Sequence, residues 1–149
     1  MSQTTTIERQ FQRLLRRLRE AGPGQPPFEE VGISPAQLTL LEWVAASPEC
    51  NLQDMADGLA LTPPTVSVGV RKLEEIGLLE RRPDPVDGRA WQFELTATGS
   101  ALWERVQRYR HEKTRRLLAG LTPEEQQTLL SLLERTLDTA EKEAPTHFQ

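Results

Sequence analysis

Two short helical segments joined by residues 60–62 constrain the fold of this chain more than any other feature of its sequence. The first segment, L-Q-D-M-A-D-G-L, follows Asn51, a residue type that caps helix N-termini. The second is predicted to begin at Thr62, with Pro63 at its first helical position, and to stop at Gly77. Helices of this length joined by so tight a turn have the spacing of a helix-turn-helix.

The corner between these two helices is predicted to be apolar. Ala56 is small enough to let the helices approach, and we expect Leu59 and Leu61 to fill the corner. Val66 and Val70 repeat at a four-residue step and would close the pair from the second helix. Many helical hairpins share these features, so they do not by themselves indicate a function.

A β-hairpin is predicted directly after the second helix. Residues 78–82 and 90–95 have the pattern of short strands, and in the latter apolar residues alternate with Gln92 and Glu94. The intervening residues 83–89 contain prolines, aspartates and Gly88, which is free to take a positive φ in a projecting turn. A helix-turn-helix followed by such a hairpin is a winged helix.

Amphipathic helices flank this region on both sides. The N-terminal one carries an apolar stripe that needs a covering surface, from its own core or from a second subunit: Ile7, Phe11, Leu14, Leu15 and Leu18. A further helix is predicted after Ser34 and Pro35, and two long helices follow Thr96 and the capping box at Thr122. We therefore expect a mainly α fold with a small β-hairpin wing.

Composition bounds the function. A chain of 149 residues fits one domain, and no apolar run approaches the length of a membrane span, so we expect a cytoplasmic protein. With two histidines, one cysteine and no phosphate loop or metal-ligand spacing, the sequence indicates no enzyme, no cofactor and no metal site. The single cysteine, Cys50, is interpreted as an ordinary small apolar residue.

The net charge of −4 argues against nonspecific nucleic-acid binding, but its distribution is uneven. Residues 21–61 hold six acidic residues and no lysine or arginine, whereas residues 62–95 hold five basic and six acidic residues. A basic patch can therefore form if the fold sorts these charges by face.

The second helix of the predicted helix-turn-helix carries candidate DNA contacts. Short polar side chains and cations suit base edges and phosphates, and the apolar Val68 suits a thymine methyl group. An ordinary solvated helix face is the alternative. The candidates are Thr62, Pro64, Thr65, Ser67, Val68, Arg71 and Lys72.

The predicted wing adds a second set of candidates. Arg89 is long enough to enter a minor groove, and the Asp87 carboxylate two residues earlier is placed to bond the turn amides or the guanidinium. The alternative is that Asp87 closes an Asx-turn and Arg89 is solvated. Arg82, with Arg81, precedes the loop, where phosphate contact and salt pairing are both open.

The chain resembles the MarR family of bacterial transcriptional regulators. The resemblance rests on S-P-A-Q-L-T-L-L, on L-T-P-P-T-V-S, on K-L-E-E-I-G-L-L-E-R-R-P-D-P-V-D-G-R and on L-T-A-T-G, with Asp87 and Arg89 at the family's D-x-R. It implies one domain over residues 1–149, in which residues 34–95 form the winged helix-turn-helix lobe and residues 5–20 and 97–143 the dimerisation helices. The implied function is that of a repressor, a homodimer on a pseudo-palindromic operator.

The same resemblance implies release by a small aromatic or anionic effector bound between the dimer helices and the DNA-binding lobe. Trp43, Trp103, Arg105 and Tyr109 are the candidate ligand contacts, although tryptophans are often simply packed in a core. A winged-helix module that binds protein rather than DNA is the alternative function.

Overall fold

The computed structural model describes residues 3–143, and the chain divides into two compact units, Met1–Glu112 and Lys113–Gln149. Residues 1–2 and 144–149 of the predicted domain lie outside the described part. Seven helices and two strands are described: α1 (Gln3–Glu20), α2 (Pro27–Glu30), α3 (Pro35–Ala46), α4 (Leu52–Leu59), α5 (Pro63–Ile76), β1 (Leu79–Pro83), β2 (Trp91–Leu95), α6 (Ala97–Leu118) and α7 (Pro123–Glu143).

Local capping residues fix the starts of the central helices. Ser34 accepts a hydrogen bond from the Gln37 amide and so caps α3, and the Asn51 side chain accepts one from the Asp54 amide at the start of α4. In both cases the third helical residue returns a bond to the cap amide, which completes a capping box. The predicted starts of α3 and α4 are confirmed.

The turn between α4 and α5 matches the predicted helix-turn-helix. Ala60 adopts the left-handed conformation that ends α4, and Thr62 caps α5. Gly77 ends α5 at φ 85°, a conformation that suits glycine. The prediction for Leu61 is wrong: its side chain is 42% exposed, since the chain has already turned outward there.

The hairpin forms one residue later than predicted at three of its boundaries. β1 and β2 pair antiparallel, with Leu79 opposite Leu95 and Pro83 opposite Trp91. Cys50 adds an isolated bridge, because its carbonyl accepts the Phe93 amide at 2.8 Å. The wing is thereby joined to the segment that precedes α4.

One apolar core holds these elements together. It includes Leu41 of α3, Met55 of α4, Leu73 of α5 and Phe93 of β2, each at most 1% exposed, and reaches Leu102 and Val106 of α6. The short α2, which the sequence did not predict, contributes the buried Pro27, and Phe28 packs against the core.

The long flanking helices expose their apolar stripes. No residue of α1 or α7 is buried within the part of the chain that the structure describes. Thr122 and Glu125 form the predicted capping box of α7, with bonds of 3.0 and 3.2 Å. Within residues 3–143, no helix has the length and hydropathy that crossing a bilayer requires.

Candidate nucleic-acid interface

The start of α5 brings two of the predicted contact residues together. The Thr62 hydroxyl lies 2.8 Å from the Thr65 hydroxyl and accepts the Thr65 amide at 3.4 Å. Pro63 and Pro64 have no N–H and the Thr65 amide is bonded to Thr62, so the site offers a phosphate oxygen the helix dipole and hydroxyl donors rather than free amides. The two hydroxyls are exposed beside it.

The predicted contact face of α5 is accessible. Val68 is 71% exposed, Pro64, Arg71 and Lys72 are exposed, and Ser67 is half-buried. On the opposite face, Val66 and Val70 are buried in the core. The accessible face of α5 therefore carries an apolar residue between polar and basic ones.

Gly69 allows α5 to pack closely on α3. A β-carbon at this position would overlap Cδ1 of Leu40, a side chain that is 4% exposed. The glycine thus has a packing role, which explains an interior residue that costs a helix about 0.5–1 kcal/mol relative to alanine.

The wing loop is organised by Asp84, one of the loop aspartates predicted to set its bends but not singled out as a functional residue. Its Oδ1 accepts the amides of Val86 and Asp87 at 2.8 and 3.1 Å, and these bonds lower the pKa of the Asp84 carboxyl. Asp87 in turn accepts the Arg89 amide at 3.0 Å, which is the Asx-turn alternative. The D-P-x-D spacing is the signal that could have identified Asp84.

The positive φ predicted for Gly88 is not observed. Glycines with positive φ in the described part of the chain are Gly24, Gly32 and Gly77, so Gly88 does not use the conformational freedom predicted for it. The two aspartates supply the turn bonds without it.

The three wing arginines differ in what surrounds them. Arg81 makes a bidentate pair with Glu74, which raises the pKa of the arginine, and Arg82 pairs with Glu94 at 2.5 Å and Glu80 at 3.4 Å. The exposed side chain of Arg89 has no ion-pair or hydrogen-bond partner among residues 3–143. Among the same residues the side chains of Arg71 and Lys72 also have none.

Two carboxylates lie at the base of the wing. Glu80 and Glu94 are opposite each other in the hairpin register, and hydrogen bonding to Glu80 raises the pKa of Glu94. Arg82 bridges the pair, so this predicted phosphate contact already carries acidic neighbours.

The predicted ligand contacts are dispersed. Trp43 packs its ring over Gly58, and its buried Nε1 has no partner in the described chain; Trp103 lies under Arg110, 5.3 Å from ring centroid to guanidinium carbon. Arg105 pairs with Glu30, and the Tyr109 hydroxyl donates to the Gly24 carbonyl at 3.3 Å.

A cavity of about 570 Å³ lies beside Tyr109. It is lined by Arg16, Arg19, Glu20, Gly24, Pro26, Glu29 and Tyr109. Among the described residues, Tyr109 is the only one of the four predicted ligand contacts that lines it. No group of three metal-ligating side chains occurs in residues 3–143.

Comparison with known proteins identifies the family. A sequence model of the MarR family matches residues 31–90, which contain the helix-turn-helix and most of the wing. The HTH-type transcriptional repressor Rv2887 of Mycobacterium tuberculosis is 32% identical over 114 residues, 73% of this chain and 82% of that protein. The chain belongs to the MarR family. It is a MarR-family transcriptional regulator.

This MarR-family protein is also similar to a named operon repressor and to a regulator solved in complex with DNA. The homoprotocatechuate degradative operon repressor of Escherichia coli is 29% identical over 110 residues, 74% of each chain. The S. aureus MepR–DNA complex is 25% identical, has a TM-score of 0.70, and is matched over 91% of this chain and 98% of that one. The winged-helix fold predicted from the sequence is confirmed.

Proposed function

We propose that this protein is a transcriptional repressor that binds a pseudo-palindromic operator as a homodimer in the cytoplasm. α5 enters the major groove and Arg89 the flanking minor groove. The observation that carries the proposal is the distribution of free cations: Arg71, Lys72 and Arg89 project from α5 and the wing without partners among the described residues. MepR, a solved neighbour of the same fold, is known in a complex with DNA, which supports DNA binding by this chain.

The remaining predicted contacts have complementary roles. Thr62 and Thr65 bind phosphate at the α5 N-terminus, while Pro64, Ser67 and Val68 face base edges. Asp87 holds the wing loop, and Arg82 is the flanking phosphate contact. Residues 34–95 act as the DNA-binding lobe.

The homodimer is proposed from exposed apolar surface. The α1 stripe, from Ile7 to Leu18, is 43–65% exposed, and Leu132 and Leu137 of α7 are 51% and 58% exposed. Apolar stripes of this length are seldom left in water on a monomer. Residues 5–20 and 97–143 are accordingly the proposed dimerisation helices.

The effector is proposed to be a small aromatic acid. Arg16 and Arg19, which line the cavity together with Glu20 and Glu29, supply guanidinium groups for a carboxylate, and Tyr109 supplies a ring. A relative is named for the operon that degrades homoprotocatechuate, itself an aromatic acid. The other candidate contacts are Trp43, Trp103 and Arg105. Within the described part of the chain, none of the three lines this cavity.

Selection of bound duplexes from a random pool, followed by affinity measurements over a salt series, tests the function. Arg89→Ala is expected to lose about 1–3 kcal/mol of binding free energy, as a groove-reading arginine does. Arg135→Ala removes the same charge from α7, and once sedimentation shows that this variant is still dimeric it is expected to bind like the unaltered protein.

Two outcomes contradict the proposal. Absence of duplex binding at low salt favours the alternative, a winged-helix module that binds protein. Equal losses for Arg89→Ala and Arg135→Ala show that only overall charge matters.

A further inference from the structure

Arg81 is held on three sides at the junction between α5 and the wing. Its Nε donates to Glu74 Oε2 at 2.7 Å, and its Nη2 donates to Glu74 Oε1 at 2.5 Å. Its guanidinium carbon lies 5.5 Å from the Trp91 ring centroid and 5.6 Å from the Phe93 ring centroid. The Arg81 side chain therefore contacts α5, which is the proposed recognition helix, and both aromatic residues of β2.

The hairpin register produces this arrangement. Arg81 pairs with Phe93 across the sheet, and Trp91 lies two residues along on the same face, within reach of a long side chain. Glu74 lies in the last turn of α5 and reaches the guanidinium from the helix side. The fork of an arginine fits a carboxylate and an aromatic face at once, which a lysine does not match.

We propose that Arg81 is a positioning residue that fixes the wing on the recognition helix, so that α5 and Arg89 meet the major and minor grooves in one register. The inference rests on the proposed DNA binding and deepens it. Arg81 itself contacts no DNA, and Glu74, an acidic residue on the recognition helix, favours DNA binding because it holds Arg81.

Glu74→Gln distinguishes this role from a phosphate contact. If Arg81 positions the wing, the variant weakens binding to a full operator duplex roughly tenfold, comparable to one lost contact, although it removes a negative charge. If Arg81 binds a phosphate, removal of the neighbouring carboxylate leaves binding equal or tighter, and the proposal is overturned.

A shortened duplex tests whether the loss of affinity in these variants comes from the contacts that the wing makes. Without the flanking base pairs that the wing contacts, Glu74→Gln and Arg81→Met are expected to bind as the unaltered protein does. On the full duplex, Arg81→Met combined with Arg89→Ala is expected to lose no more than Arg89→Ala alone, because both remove the same contact. Additive losses, or equal losses on both duplexes, contradict the positioning role.

Glu42→Gln is the matched control. Glu42 and Arg110 form a second bidentate pair, at 3.1 and 3.2 Å, with Arg110 over Trp103, between α3 and α6. This variant loses a pair of the same type and is expected to keep its DNA affinity, and thermal midpoints of the variants show whether each is folded.

The free protein gives an independent measurement. In NMR spectra the Nε proton of Arg81 is expected to exchange slowly with water, and Glu74→Gln is expected to abolish that protection. Fast exchange of the Arg81 Nε proton in the unaltered protein contradicts the proposed positioning role of Arg81. If the unaltered protein binds no duplex, the proposed function fails; if it binds and Glu74→Gln binds as tightly, only the positioning role fails.

Discussion

Gly99, in the first turn of α6, lies directly against the backbone of Leu78. A β-carbon at position 99 would overlap the Leu78 carbonyl oxygen, which also accepts the Thr96 amide at 3.1 Å. The Thr96 hydroxyl donates to the Gly77 carbonyl at 2.6 Å. The start of α6 is therefore fixed on the segment that joins α5 to β1.

Gly99→Ala is expected to lower the free energy of unfolding by about 1–3 kcal/mol, because a backbone atom occupies the space that the methyl group needs. Urea unfolding measures the change. Gly120→Ala is the control, since no heavy atom lies within 4 Å of its β-carbon position, and its effect is expected to stay within about 0.5 kcal/mol. Equal stabilities of the two variants contradict the packing argument.

Cys50 is expected to be unreactive in the folded protein. Burial, and secondarily the Asp54 carboxylate, raise the pKa of its thiol from 9.0 to about 11. Because the folded pKa exceeds the unfolded one, the stabilising contribution is present below pH 9 and is lost as pH rises through 11. Ellman's reagent at pH 8 should label Cys50 only in urea, so rapid labelling of the folded protein contradicts the assignment.

The wing loop is expected to depend on ionised Asp84. Its folded pKa lies below the ordinary value of 3.8, so its contribution to stability is present above that pH and is lost as pH falls through the lowered pKa. A carbon-detected NMR titration of the carboxyl groups measures the pKa of Asp84 directly. Asp84→Asn should remove the acid-dependent change in the amides of Val86 and Asp87, whereas Asp138→Asn in α7 should leave it.

Dimerisation is expected to need the α1 stripe. Phe11→Glu places a charge on that stripe and should give monomers by sedimentation velocity at micromolar concentration, because a buried carboxylate would lack a partner. Gln12→Glu adds the same charge on another face of α1 and should remain dimeric. A dimeric Phe11→Glu protein contradicts the proposed interface.

Val68 is expected to read a thymine methyl group. Replacing one operator thymine with deoxyuracil should weaken binding of the unaltered protein by about 1 kcal/mol, the value of one buried methyl group. Val68→Ala should be less sensitive to the same replacement. If every thymine replacement affects both proteins equally, Val68 makes no such contact.

Local signals in the sequence were sufficient for the helix-turn-helix. Thr62, Pro63 and Gly77 fix α5 through capping and backbone preference, and these act within a few residues. The four-residue α2 gave no periodic signal, because it is held by tertiary packing of Pro27 and Phe28.

The ion-pair partners of the wing arginines could not be predicted from the sequence. Arg81 and Arg82 are adjacent but lie on opposite faces of β1, and their partners Glu74 and Glu94 come from other elements. The role of Asp84 depended on which amides the loop turned toward it. Likewise, only the folded backbone shows that Tyr109 lies at the cavity while Trp43 packs on Gly58.

The ion-paired Arg81 and Arg82 at the wing base affect how this protein would search a chromosome under the proposed function. Its net charge is −4, and attraction between its free cations and phosphates extends only about 8 Å at physiological ionic strength. A duplex that does not meet α5 and the wing together is therefore held weakly. If the protein binds DNA as proposed, it spends little time on unrelated sequence, and fewer of its molecules are lost to competing sites in the rest of the genome.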